Sequence, residues 1–222
     1  MTTMMFVERK CALCGALNEC YALTSTNNFG GMDTEFRSYA VGSDPIENSL
    51  QTCSKCGYTH YNIENVPKNI TATKELVKNF FDVESAGKKT FQTYKSYELL
   101  GRILILDRAL PVKIAATFLR AAWTAEDAQK LALAKTYRQE AAKFLAQWVS
   151  WGKKVSKRKT EELFLLAEIY RRAGEFKLSE EIHGRIVIED LHPDLQAALV
   201  KIRELLAVGD NRKLMLEDIL GK

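Results

Sequence analysis

The sequence predicts an α+β protein, with a small β-rich unit first and an all-helical unit after it. Two observations support this division. All five cysteines lie within the first 56 of 222 residues, where turn formers alternate with short apolar or aromatic stretches. After Pro67, helix formers dominate and apolar residues recur at helical spacing. We therefore predict one domain over residues 1–66 and a second over residues 67–222.

Four short stretches in the first domain predict strands, at residues 4–7, 21–23, 49–52 and 58–63. Turn-rich segments, such as Gly30-Gly31 and the run from Gly42 to Pro45, separate them. A β-rich unit of this size has little core of its own. It therefore needs an additional stabilising cross-link, such as a structural metal site.

Helices are predicted at about residues 71–82, 92–109, 112–123 and 126–151, with Pro111 between the second and the third. Later in the chain, four apolar residues follow a spacing of four, three and four, which places them on one helix face. This last helix begins at Pro193 and ends before Gly209. The four residues are Leu195, Leu199, Ile202 and Leu206. The best candidate for an interdomain linker is residues 82–89, although this stretch also fits an ordinary loop.

Composition is typical of a globular protein, with 46% hydrophobic and 27% charged residues. The first ten residues lack the pattern of a secretory signal. No run approaches the roughly 20 apolar residues that a membrane span needs. We expect a cytoplasmic protein, in which cysteines serve as metal ligands or free thiols rather than forming disulfides.

Two Cys-x-x-Cys-Gly knuckles carry the clearest chemical signal. They are Cys11-Ala-Leu-Cys14-Gly15 and Cys53-Ser-Lys-Cys56-Gly57. Two intervening residues let both sulfurs of a pair face one point, and the glycine accepts the positive φ of a tight knuckle. Two such pairs complete the tetrahedral four-sulfur set of a structural zinc site. The sequence therefore predicts one structural Zn²⁺ on Cys11, Cys14, Cys53 and Cys56, in a zinc-ribbon-like fold.

Two other metal-site interpretations stay open from the residues alone. An iron–sulfur cluster also uses four cysteines. A redox dithiol needs one exposed, activated pair, whereas this chain has two matched pairs. Cys20 fits a small buried residue better than a substitute ligand. His60 follows Cys56 by four residues, but the four cysteines already fill a zinc site.

Residues 160–193 resemble one tetratricopeptide repeat. Large residues stand at Leu163 and Tyr170, small ones at Ala167 and Ser179, and Gly174 marks the turn. Small residues let two antiparallel helices approach closely, and large ones fill the space between repeats. His183 and Ile186 depart from the motif, so a generic helical hairpin is the alternative. Residues 115–151 look like a more degenerate copy.

Taken together, these features resemble the bacterial family called domain of unknown function 2225. The resemblance rests on the knuckles, the stretch from Gly31 to Arg37, the stretch from Phe118 to Trp123, and the repeat at 160–193. It implies a zinc-ribbon-like head followed by tetratricopeptide-like helices. It implies no activity. Relatives usually carry an Asp-x-Arg-Pro element where this chain has Asp33 to Arg37. Here Phe36 intervenes and the proline is missing, so we do not predict a functional site at Asp33 or Arg37.

The predicted function is that of a protein–protein interaction module or adaptor, because stacked helical hairpins form concave binding surfaces. Its partner is a protein that the sequence does not identify. A structural role in a larger assembly is also open.

The alternative is a nucleic-acid-binding zinc ribbon, supported by a basic cluster between two predicted helices. Against it, residues 1–60 hold four basic and six acidic side chains, a formal charge of −2. Since the whole chain carries +4, residues 61–222 carry +6. Phosphate binding would need cations on the ribbon itself. The cluster consists of Lys153, Lys154, Lys157, Arg158 and Lys159.

An enzyme is the least favoured class. The sequence has no Gly-rich phosphate loop, no nucleophile elbow and no carboxylate–histidine metal motif. The adjacent acidic pairs at 161–162 and 180–181 lie on predicted helices, where neighbours in sequence do not share a face. We predict no catalytic residues and no cofactor besides zinc.

Overall fold

The computed structural model describes residues 2–84, 92–151 and 159–221. Small antiparallel sheets come first and helices follow, which confirms the α+β prediction. The strands are β1 (Thr3–Lys10), β2 (Leu17–Ser25), β3 (Gln51–Thr52) and β4 (Thr59–His60). The helices are α1 (Ile70–Glu84), α2 (Thr93–Leu106), α3 (Pro111–Asp127), α4 (Leu131–Ser150), α5 (Lys159–Arg172), α6 (Phe176–His183), α7 (Pro193–Ala207) and α8 (Leu216–Leu220).

Each cysteine knuckle is the turn of a two-stranded hairpin. The first knuckle joins β1 to β2, with Val7 opposite Cys20 and Lys10 opposite Leu17. The second joins β3 to β4, with Thr52 opposite Thr59. Each predicted strand overlaps one of these four strands, and the first two strands extend well beyond the predicted stretches. Hairpin pairing therefore brings both knuckles to the ends of their sheets.

Several helices end in a Schellman motif, and two of these ends lie where no glycine marks them. The Lys130 N–H donates to the Ala125 carbonyl at 2.8 Å while Gln129 adopts a φ of +58°. The prediction that one helix stops at 123 and the next begins at 126 is wrong, because this motif places the break at residues 128–130. The predicted helix 92–109 likewise ends earlier, at Leu106, since Arg108 adopts a φ of +50°.

Two clusters of buried residues form the core. The first surrounds the cysteines and includes Val77 and Phe80 of α1 and Leu99 and Ile103 of α2. The second consists of buried residues from each helix from α2 to α7, and it also includes Ile46 from the loop before β3. Residues on both sides of position 66 therefore contribute to each cluster. The predicted linker at 82–89 begins inside α1, and residues 85–91 lie outside the described residues.

The later helices pack as antiparallel hairpins, α3 with α4 and α5 with α6. In the second hairpin the Ser179 hydroxyl donates to the Ala167 carbonyl at 2.8 Å, and both residues are fully buried. Gly174, in the turn, has a φ of +74°. Small residues thus stand where these two helices come closest. Among the described residues, none of the helices has the length and apolar character to cross a membrane.

Candidate metal centre

The four knuckle cysteines meet at one point. The Sγ atoms of Cys11 and Cys56 lie 3.6 Å apart, as do those of Cys14 and Cys53. All four Sγ atoms fall within 4.8 Å of one another. With Zn–S bonds of about 2.3 Å, the sulfurs of a tetrahedral site are separated by about 3.8 Å. The donor set and its spacing therefore fit a tetrahedral four-thiolate metal site.

Local backbone geometry explains why each pair converges. In the first knuckle the Gly15 N–H donates to the Cys11 carbonyl at 2.9 Å, and in the second the Gly57 N–H donates to the Cys53 carbonyl at 2.8 Å. Gly15 and Gly57 have φ values of +71° and +82°, which residues with a Cβ rarely adopt. The two knuckles are thus the same turn used twice.

The surroundings of the site hold the second knuckle in place. Asn18 on β2 donates through Nδ2 to Cys53 Sγ at 3.5 Å, while its Oδ1 accepts from the Ser54 N–H at 2.8 Å. The Phe81 ring of α1 packs directly on Gly57, so close that a Cβ on this glycine would lie 1.4 Å from a ring carbon. The hairpins and α1 therefore form one packed unit around the four sulfurs.

Burial makes the thiolate state costly for part of the set. It raises the pKa of the Cys11 thiol, and it raises that of Cys56 strongly. For Cys53, burial acts in the same direction, but hydrogen bonds from the Cys56 and Lys55 N–H groups and from the Cys14 and Cys11 thiols together outweigh it and lower its pKa to about 7. Four thiolates at this spacing repel one another, and a divalent cation between them would offset that repulsion.

Cys20 and His60 lie outside the group of four. Cys20 is buried on β2, in the cluster beneath the hairpin, and burial raises its thiol pKa. His60 uses its Nδ1 to accept from the Asn62 N–H at 3.3 Å, and burial lowers its pKa. Within the described ranges, Cys11, Cys14, Cys53 and Cys56 form the only group of cysteine, histidine or acidic residues close enough to hold a metal ion.

A second buried polar cluster joins the loop after β2 to three helices. We call it the buried ion-pair network, formed by Glu35, Glu126, Arg138 and Arg172. Arg138 donates from Nε and Nη2 to the two Glu35 oxygens at 2.9 and 2.8 Å, and it contacts Glu126 at 2.7 Å. Arg172 donates to Glu126 at 2.6 Å. Glu35 is completely enclosed, yet the two arginines keep its pKa below the usual value despite this burial.

Comparison with known families connects these two regions. The family model described as "Uncharacterized protein conserved in bacteria (DUF2225)" matches residues 8–208, which include both knuckles and the whole network. The chain belongs to this family. No curated protein and no solved structure matches the chain. The family assignment confirms the resemblance predicted from the sequence, and the activity of DUF2225 proteins is unknown.

The Asp33–Arg37 stretch of this DUF2225 protein is buried and polar. Asp33 Oδ1 accepts from the N–H groups of Glu35 and Arg37 at 2.9 and 3.0 Å, and Tyr39 donates its hydroxyl proton to Oδ2 at 2.8 Å. Burial and the nearby Glu35 carboxylate raise the pKa of Asp33 to about 6. Phe36 adopts a φ of +64° at the centre of this turn. These contacts shape the loop so that Glu35 enters the network.

Arg37 and Thr34 tie the same loop to the helices at two more points. Arg37 forms a two-pronged ion pair with Asp127 at 3.1 and 2.6 Å and a third contact with Asp44 at 2.6 Å. The Thr34 hydroxyl donates to Glu168, which is paired with the fully buried Arg171. The acidic groups here are engaged by arginines, so the arrangement fixes the loop on the helices. Sequence reasoning missed Glu35, Glu126, Arg138 and Arg172, because no local motif links residues as distant as Glu35 and Arg138, which lie 103 positions apart.

A groove between α6 and α7 is a further feature that could bind a ligand. It has a volume of about 580 Å³, and apolar Phe176 and Leu206 share its lining with Lys177, Glu180 and Arg203. His183 also lines it, is only 4% exposed, and has no hydrogen-bond partner among the described residues at either ring nitrogen. Burial, helped by Arg203 and Arg171, lowers the pKa of His183 to about 4. The groove thus combines apolar walls, two cations, one carboxylate and a buried imidazole.

Proposed function

We propose that this DUF2225 protein is a non-enzymatic, zinc-binding protein–protein interaction module, or adaptor, of the bacterial cytoplasm. Zinc has a structural role in this proposal, and the helical hairpins, as tetratricopeptide-like repeats, supply the partner-binding surface. The proposal has two parts, the metal and the partner surface, and each has its own test.

The metal part is supported by the 3.6 Å sulfur separations and by the matched knuckles. Four cysteine ligands close a zinc coordination sphere and leave no position for a reactive water. Bound zinc would fix the turns of both hairpins and stabilise the first core cluster. Structural zinc sites supply roughly 10–16 kcal/mol of apparent binding free energy, which becomes folding free energy.

Metal analysis of protein purified without added metal tests this part. We expect one zinc per chain and an absorption spectrum without the visible bands of iron–sulfur clusters. Replacing Cys56 by Ser should remove the metal, whereas the matched change Cys20→Ser should retain it. Iron in stoichiometric amount, or equal metal loss in both variants, would refute the assignment.

The partner part rests on one observation, the α6–α7 groove with the unpartnered His183. Its volume of about 580 Å³ lies in the range of specific binding sites. Lys177 and Arg203 outnumber Glu180, so the groove favours a carboxylate. A buried imidazole without a hydrogen bond gains one when a polar ligand group reaches it. An acidic segment of a partner protein, with an apolar side chain beside the carboxylate, therefore suits this groove.

Photo-crosslinking in the native bacterium tests the partner surface. A photoreactive amino acid at position 177, on the groove, should capture a defined protein, and the same amino acid at position 113, on the exposed side of α3, should not. Arg203→Glu should abolish the product and Lys113→Glu should leave it intact. Crosslinks of equal pattern from both positions would count against the groove.

Nucleic acid is the alternative occupant and has a different signature. The predicted basic cluster at 153–159 lies outside the residues whose side chains the structure describes. Contacts to many phosphates give an affinity that falls steeply with salt, whereas a single carboxylate in a groove gives a shallow dependence. Tight binding to RNA or DNA of defined sequence at physiological salt would favour the alternative.

A further inference from the structure

An apolar cavity lies between α3 and α5, next to the buried ion-pair network. It has a volume of about 150 Å³, and side chains from four parts of the chain line it. Leu165 and Ile169 come from α5, Leu145 from α4, and Phe36 from the loop after β2. The remaining lining, apart from Glu35, belongs to α3. The cavity therefore lies where this loop meets the helices.

The sequence of α3 explains why space is left here. Side chains three or four positions apart share a helix face. The face of α3 that lines the cavity carries Val112, Ala115, Ala116, Leu119 and Trp123. The two alanines near the middle of this face have one methyl group each, whereas the other three side chains are larger. These short side chains leave a gap that the apolar side chains of α5 line without filling.

The cavity has a buried end and an open end. Leu119, Leu145 and Ile169 are at most 4% exposed, so they form its interior. Arg120 and Leu165 are partly exposed, so they lie at its mouth. A small molecule can therefore enter from solvent and bury its apolar part.

Two charged side chains, Glu35 and Arg120, line the cavity. The charge of Glu35 is compensated, because both its oxygens accept from Arg138 and one also accepts from the Trp123 indole N–H. Arg120 has no ion-pair partner within residues 2–84, 92–151 and 159–221, and its Nη1 donates to the Ala116 carbonyl at 3.2 Å. The guanidinium has further N–H donors. The cavity therefore has an unpaired cation at its mouth.

Volume and charge together select the ligand. A cavity of about 150 Å³ lined by leucine, isoleucine and phenylalanine binds benzene. A cation at the mouth favours an anionic substituent on such a ring, and a guanidinium binds a carboxylate through two parallel hydrogen bonds. A cationic substituent would be repelled by Arg120, and an uncharged apolar one would leave the guanidinium donors unused.

We propose that this cavity binds a small apolar carboxylate, of about the size of benzoate. Its apolar part lies among the side chains of α3 and α5, and its carboxylate binds Arg120. The site is separate from the four cysteines and from the α6–α7 groove. Because Glu35 and Phe36 belong to the loop and the other lining residues to helices, the bound ligand contacts both and stabilises the docked loop.

Isothermal titration calorimetry of the intact, metal-loaded protein with benzoate and with benzamide tests the proposal. The two probes have nearly the same shape and differ in charge. Benzoate should bind at least about tenfold more tightly than benzamide, because hydrogen bonds to a charged group add to the burial of the ring. Saturating benzoate should also raise the urea midpoint of unfolding, since only the folded chain has the cavity.

Two variants separate the apolar part of the site from the charged part. Ala116→Leu fills the cavity and should abolish binding of both probes while circular dichroism stays unchanged. If that protein does not fold, Ala116→Val adds less volume and should weaken the binding of both probes. Arg120→Gln should remove the preference for benzoate and leave benzamide binding intact.

The matched control is Arg203→Gln, which removes an arginine from the α6–α7 groove and should change neither affinity. Three outcomes would overturn the proposal. They are no heat of benzoate binding up to millimolar concentration, equal affinity for benzoate and benzamide, and loss of benzoate binding in Arg203→Gln but not in Arg120→Gln.

Discussion

Glu35→Gln is the sharpest perturbation of this fold, because it removes one charge from the buried ion-pair network and almost no volume. Glu35 accepts hydrogen bonds from Arg138 at 2.9 and 2.8 Å and from the Trp123 indole N–H at 3.0 Å. Arg172 lies 3.6 Å away. A glutamine amide in this position places N–H donors against guanidinium N–H donors.

The magnitude follows from the charge balance. Glu35 and Glu126 offset Arg138 and Arg172, so the network is neutral with all four side chains present. Removing the Glu35 charge leaves one excess positive charge where both arginine side chains are at most 3% exposed. Breaking a buried ion pair on one side typically costs about 3–5 kcal/mol. Domains are commonly stable by about 5–15 kcal/mol, so the variant should lose at least about a fifth of its stability.

Urea unfolding at pH 7, followed by circular dichroism and tryptophan fluorescence, measures this loss. Glu189→Gln, at an exposed acidic position, is the control and should change stability by less than about 0.5 kcal/mol. Adding Arg138→Gln to Glu35→Gln should cost less than the sum of the two single changes, because the second change removes the orphaned charge. A loss below about 1 kcal/mol for Glu35→Gln would refute the reasoning.

Three further predictions concern the knuckles, the groove and the spare cysteine. Gly15→Ala should cost only the strain of a positive φ, about 1–2 kcal/mol, whereas Gly57→Ala should cost more because its Cβ collides with Phe81, and Phe81→Leu should recover part of the difference in urea titrations. The folded-state pKa of His183, lowered to about 4, lies below its unfolded value, so the unfolded chain binds the proton first and stability falls as pH drops from about 6.5 to 4; His183→Gln should remove about 2–3 kcal/mol of that fall, measured as urea midpoints across this pH range. Cys20→Ser should lower stability by exchanging a buried thiol for a hydroxyl, yet release of zinc to a chromophoric chelator should keep the rate of the unchanged protein.

Much of the local structure was predictable because its causes are local. The Cys-x-x-Cys-Gly knuckles, the strands beside them and the helix that starts at Pro193 depend on residues within a few positions of one another. The helix ends at Arg108 and Gln129 were not predictable in the same way. Both residues adopt a positive φ that sequence reasoning expects at glycine.

The burial of Asp33 to Arg37 gives the clearest case of a feature that the sequence hides. A short stretch with two acids and one arginine, between turn-rich segments, has the composition of a solvated loop. In the fold, Asp33 and Glu35 are at most 1% exposed, because arginines from distant helices compensate the charge of Glu35 and because backbone N–H groups and the Tyr39 hydroxyl donate to Asp33. The arrangement of those helices offsets the free-energy cost of burying these carboxylates.

The sequence by itself determined the four-cysteine donor set, the change from strands to helices, and the family. Those features follow from spacing, periodicity and turn chemistry, which act over a few residues. Tertiary structure alone decided that the loop after β2 locks onto α3, α4 and α5, and that His183 lacks a hydrogen-bond partner among the described residues. Each of these depends on which side chains meet across long separations in the chain, and on which are shielded from water when they do.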